Sequence, residues 1–169
     1  AASDSSGVQT AHVALDRIEL WTDGQKIDIL PTEASVSTGK DGSAAAVHSG
    51  DLDLRFTASG PIDSVSGAFG RLSGQAAEWM EKGAFDMDSV ASVLPVFRLA
   101  GTAGAHNLLN GFLSTKGVQF DSLALDVESG YAKGPDVALQ LTGLTTGKMA
   151  LDTVAVHLGK QERKMVFDV

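Results

Sequence analysis

The sequence contains no cysteine, which excludes disulfides, thiolate-bound metals and a cysteine nucleophile. The absence does not fix a compartment, since cysteine-free chains occur both in the cytosol and in bacterial envelopes. Long apolar runs are also missing: none approaches the roughly 18–20 residues that a spanning helix needs. Basic residues are scarce beside acidic ones, 13 Lys and Arg against 21 Asp and Glu, for a formal net charge of −8. Such a field repels phosphate backbones and argues against nucleic acid as a partner. The first residue is not Met, and the small, polar start AASDSSG reads either as a mature N-terminus left by signal-peptide cleavage or as the boundary of a piece excised from a larger chain.

The motifs of common enzyme classes are missing as well. His12, His48, His106 and His157 stand at no helical ligand spacing from one another or from a carboxylate, and HExxH is absent. Asp51/Asp53 and Asp86/Asp88 are close carboxylate pairs without the loop spacing of a calcium site. GTAGAHN at 101–107 lacks the GK[ST] ending of a phosphate loop and the second glycine of GxGxxG. SGAFG and HSG are not the G-x-S-x-G elbow. The expectation is a non-enzymatic protein with no catalytic residue, metal or cofactor.

What is present is alternation. Apolar residues make up 43% of the chain and charged ones 20%, values of a globular domain, and one domain over residues 1–169 is expected. Residues 8–58 alternate with a period of two. In DLDLRFTA, Leu52, Leu54, Phe56 and Ala58 point one way while Asp51, Asp53, Arg55 and Thr57 point the other, as in a half-buried antiparallel strand. VALDRIELW and KIDILP flank a turn at Asp23-Gly24, a hairpin signal.

Residues 61–114 read as a helical insertion. Ile62, Val65, Phe69, Leu72, Ala76, Trp79 and Met80 fall at steps of three and four on one helical stripe over 61–82. Gly67, Gly70 and Gly74 weaken that helix, and their small size would let it lie close against a sheet. AFDMD reads as a short strand, DSVASVLPVFRLAG as a second helix kinked near Pro95, and AHNLLNGFLSTKG as a third, closed by Gly117.

Residues 117–169 return to alternation, with turns expected at Ser129-Gly130, Gly134-Pro135, Thr146-Gly147 and Gly159-Lys160. The triplet Ala-Leu-Asp occurs at 14–16, 124–126 and 150–152. After the first and third copies the alternation flips by one residue, the mark of a β-bulge.

The stretch GVQFDSLALDVESGYAKGPDVALQLTGLTTGKMALDTVAVHLG resembles the strand units of the AsmA/TamB-like envelope proteins of Gram-negative bacteria. Lines such as F-D-x-L-x-L-D-V-x-x-G, L-x-L-T-G and L-D-x-V-x-V carry the likeness. It covers about the last third of the chain and, more loosely, residues 8–58. It implies curved sheets whose apolar groove shields lipid chains in the periplasm, and lipid handling in place of catalysis.

The expected fold is α+β: a twisted antiparallel sheet of about eight to ten strands with the helical insertion packed on its concave face. The expected function is a periplasmic or envelope domain that binds or conducts lipid, or another apolar ligand, between sheet and helices. The alternating strands and the helical stripe nominate Leu52, Leu54, Phe56, Phe69 and Leu72 as its lining, with Trp79, Leu139, Leu141, Val154 and Val156. The rival is a structural subunit of a larger envelope assembly that docks on a protein through a sheet edge or apolar helix, with no ligand.

Overall fold

The structure, a computed structural model, describes residues 2–3, 7–22, 25–82, 92, 94–130, 134–147, 149–161 and 164–168. Seven strands precede the first helix: β1 (Ala2–Ser3), β2 (Gln9–Leu15), β3 (Ile18–Thr22), β4 (Gln25–Ile29), β5 (Thr32–Thr38), β6 (Gly42–Ser49) and β7 (Leu52–Ser59). Helix α1 (Ile62–Lys82), strand β8 (Phe97–Ala103) and helix α2 (Leu108–Ser114) follow. The chain then adds β9 (Val118–Gln119), β10 (Ser122–Gly130), β11 (Gly134–Thr146), β12 (Met149–Gln161) and β13 (Lys164–Asp168).

The fold is α+β, built on one open antiparallel sheet ordered β1-β2-β5-β6-β7-β8-β10-β11-β12-β13, with β9 beside β11. Nine of these strands have five residues or more. Among the described residues, strands β3 and β4 pair only with each other. The register places Leu52, Leu54 and Phe56 of β7 on one face with Phe97, Leu99 and Ala103 of β8. The same face continues through Leu123, Leu125 and Val127 of β10 to Leu139 and Leu141 of β11 and Val154 and Val156 of β12. Both helices pack on this apolar face.

Helix α1 begins where Pro61 ends the strand register. The Ile62 N–H donates to Thr38 Oγ1 at 2.9 Å, and Asp63 sits in the first turn, where the helix dipole favours an acid. Val65 and Ala68 are buried and Phe69 and Leu72 half-buried, while the side chains of Ala76, Trp79 and Met80 lie outside the described residues. As far as Leu72, the helical stripe meets the sheet as its spacing predicts. The glycines do not. Gly67, Gly70 and Gly74 are exposed, and a methyl at Gly70 or Gly74 would meet nothing within 4 Å. They are therefore no close-packing device but a cost of up to about 1 kcal/mol each. Gly70→Ala and Gly74→Ala should each raise stability by up to that amount, seen as a higher urea midpoint at unchanged slope.

The second helix expected over 88–101 requires the main correction in its later part: residues 97–103 form β8, the strand that joins the two meanders, whereas Ser92 is helical and residues 88–91 and 93 lie outside the described ones. Alternation is present in FRLAGTA, but small residues flatten its contrast. Gly101 also needs to be glycine, since a Cβ there would lie 2.7 Å from both the Asp53 carbonyl oxygen and Leu54 Cδ1. The short strand expected at AFDMD falls outside the described residues, as do Asp86 and Asp88.

Neither phase flip is a bulge. Between Leu15↔Thr32 and Ile18↔Ile29 the two strands advance by the same three residues, so β2–β3 and β4–β5 are the arms of one hairpin in a single register. Pro31, which has no N–H to donate, interrupts that ladder opposite Asp16. Between Thr142↔Thr153 and Leu144↔Leu151 both strands advance by two. Gly143, at φ +62°, interrupts the pairing there, and the Asp121 carboxylate occupies the place a Cβ would take. The turn expected at Gly159-Lys160 lies inside β12, paired with β13. Gly134-Pro135, also expected as a turn, opens β11.

Candidate functional site

Two clusters form the interior. Around α1, Phe56, Phe69 and Phe97 stack with ring centroids 5.2–6.5 Å apart, joined by Leu94, Leu72 and Leu99. At these residues the rings meet one another; the side chains at 73 and 75–82, farther along the helix, lie outside the described residues. Edge-to-face and tilted rings at these separations are favourable contacts in their own right.

Around α2 the packing leaves a space. A hollow of about 540 Å³ lies between the helix and strands β6, β7, β8 and β10. Val47, Leu52, Leu54, Leu99, Leu123 and Leu125 make its floor; Leu108, Leu109 and Phe112 make its roof. Among the described residues that border it, Thr102 is the one polar residue and none is charged. Phe112 is half exposed at 50%, so an apolar ring stands at the boundary with water.

The roof is pinned by polar groups at its ends. Asn107 caps α2, accepting from the Asn110 N–H at 2.9 Å. Its amide donates to Asp51 Oδ1 at 2.6 Å and to the Gly104 carbonyl. Asn110 is buried; its amide donates to the carbonyls of Ala105 and Phe120 and its oxygen accepts from the Phe120 N–H. Ser49, fully buried, accepts from Thr32 Oγ1 at 2.9 Å and from the Leu108 N–H at 3.3 Å. Gly117, at φ +71°, ends the turn that follows the helix.

Asp51 is thus committed to the anchor. Partial desolvation pushes its carboxyl pKa up. Hydrogen bonds from the Asn107 side chain and the His106 and Gly104 backbones, with the nearby His106 charge, outweigh that and hold the pKa below the ordinary carboxylate value. A helix carried on such a latch keeps its place without filling the space beneath it.

The uncovered face of the sheet is different. A broad depression of about 1080 Å³ crosses β7, β8, β10, β11 and β12, floored by Ala100, Ala124, Ala138 and Ala155. Two arginines on this face are paired with carboxylates. Arg55 pairs with Asp53 at 2.9 Å, Arg98 with Asp126 at 2.7 Å, and His157 lies 3.5 Å from Asp136. The hydrogen bond to Asp126, then the charges of Asp126 and Glu128, raise the Arg98 pKa above its ordinary value. This face is wider and wet, and exposed pairs of this kind contribute little energy.

Of the ten residues nominated from the sequence, Leu52 and Leu54 border the apolar hollow. Phe56, Phe69 and Leu72 belong to the aromatic cluster around α1. Leu141 packs beside Leu52, Ala103 and Phe120. Leu139, Val154 and Val156 share the apolar face farther along the sheet, and the side chain of Trp79 lies outside the described residues. The pattern did not nominate Leu109, Leu99, Leu123 or Leu125 for the lining. The run of apolar residues in AHNLLNGFL and the in-phase leucines of SLALDV were the available signals.

Among the described residues, no helix is long and apolar enough to cross a membrane, and no cluster of three His, Asp or Glu is arranged to hold a metal. Comparison with known proteins returns no matching family model, curated protein or solved structure.

Proposed function

We propose that the chain is a non-enzymatic bacterial envelope domain that binds a lipid, or a similarly apolar ligand, in the hollow between α2 and the sheet. The single observation that carries this reading is the hollow itself. It is concave, about 540 Å³ in volume and bordered almost wholly by hydrocarbon, within the roughly 300–1,000 Å³ typical of ligand pockets. An empty apolar space forfeits dispersion contacts along its walls, so an apolar occupant stabilises the fold by filling it. The strand pattern shared with envelope lipid-handling proteins supports a periplasmic setting.

Native mass spectrometry of the purified full chain, followed by solvent extraction, tests this. The expected result is a co-purifying lipid near unit stoichiometry, and its loss in Phe112→Asp. That substitution brings a charge to the boundary of the hollow at a half-exposed position, where folding tolerates it. Ligand-free protein from several preparations, with no lipid taken up on incubation, would overturn the reading.

A second reading, docking of a protein partner, has its own observation. Val13, Leu15 and Val36 are exposed on the apolar face, on strands β2 and β5 that neither helix's apolar cluster reaches. A stable partner protein that masks these residues, with no lipid present, is the outcome that favours it.

A further inference from the structure

Resting on the ligand-binding reading, the geometry limits what the hollow can hold. A methylene takes roughly the 30 Å³ that a water molecule occupies in the liquid. The 540 Å³ present then matches about eighteen methylenes. That is the size of one long hydrocarbon chain. Among the described residues the border supplies no ammonium, guanidinium or carboxylate, and Thr102 is the one polar residue there. Helix α2 carries no acid in its first turn and no base in its last. A ligand head group consequently meets no charged partner in the lining, and the contacts that distinguish one ligand from another are those along the hydrocarbon.

We infer that the hollow accepts one unbranched hydrocarbon chain of up to about eighteen carbons, selected by its length and by being single, and not by its head group. The roof sets the limit. Leu108, Leu109 and Phe112 stand over Val47, Leu54 and Leu125, and the hydrogen bonds of Asn107, Asn110 and Ser49 hold them there. Opening the roof for a second chain means breaking buried hydrogen bonds, each of which leaves a polar group unpaired.

The full chain, stripped of lipid, is titrated with saturated fatty acids of ten to twenty-four carbons, the matching fatty alcohols, and a dihexadecanoyl glycerophosphocholine. Native mass spectrometry counts the chains bound. Affinity should rise with length and stop rising at about eighteen carbons, at one chain per protein. Acid and alcohol of equal length should agree within about threefold, and the two-chain lipid should bind at least about tenfold more weakly. Val47→Phe, which occupies part of the hollow, should move the optimum to shorter chains while the circular dichroism stays native. Equal or tighter binding of the two-chain lipid, a tenfold difference between acid and alcohol, or an unmoved optimum in Val47→Phe would overturn the inference and leave the ligand-binding reading standing. No binding of any probe would overturn both.

Discussion

Phe97→Ala should destabilise the protein by about 3–5 kcal/mol, the largest single-residue effect expected here. Phe97 is 9% exposed and begins the strand that pairs β7 on one side and β10 on the other. Its ring meets Phe69 edge-on at 5.2 Å and Phe56 at 6.0 Å. Truncation removes both contacts and opens a cavity that the sheet, fixed by its ladders, closes only partly. The loss compares with a total stability of about 5–15 kcal/mol for a domain of ordinary size. Urea titration should show a lower midpoint with an unchanged slope. Phe112→Ala is the control: half exposed and bordering the hollow, it should cost less than about 1 kcal/mol. A cost below 1 kcal/mol at Phe97 would contradict the packing described.

That prediction depends on the stretch of sequence that was hardest to read. FRLAGTA is a strand whose outer residues Ala100 and Thr102 are too small to mark a polar face. Its Gly101 answers to a contact with Leu54 some fifty residues away. Such a requirement is imposed by tertiary approach and leaves no local pattern. DLDLRFTA and SLALDV, by contrast, put leucines and charges on opposite sides with full contrast, and their faces emerge as the pattern indicates.

The phase flips show the same limit. A one-residue slip in hydrophobic phase has two sources, an inserted residue or a ladder broken and resumed in register. Only the partner strand distinguishes them, through Pro31 in one case and Gly143 against Asp121 in the other. For the site, alternation identifies which side chains face inward. It does not report whether the space they face is filled. Phe56 and Leu54 are two residues apart on one face of β7, yet one meets two aromatic rings and the other a hollow. The difference lies in what each helix contributes: α1 brings Phe69, while α2 spans the sheet on its anchors.

Those anchors carry the second large effect. Asn110→Ala should cost about 3 kcal/mol or more, since it strips partners from both the N–H and the carbonyl of Phe120 and unpaired buried groups cost about 1–3 kcal/mol each. Phe120 is 3% exposed, which keeps water from replacing the amide. Ala105, whose carbonyl also loses a bond, is exposed and is satisfied by solvent. The consequence should be local before it is global, because α2 is short and carries no charge in its end turns. Amide hydrogen exchange should accelerate across 105–120 while the ladders of β7, β8 and β10 stay protected. Affinity for a single-chain amphiphile should fall at least about tenfold, because Leu108, Leu109 and Phe112 no longer hold their places. Asn110→Asp separates the roles: it retains the acceptor for the Phe120 N–H but turns a donor into a carboxylate oxygen facing two carbonyls, and should be as damaging at neutral pH as alanine. Unchanged exchange over 105–120 together with a cost under 1 kcal/mol would show that hydrocarbon packing alone keeps the roof in place.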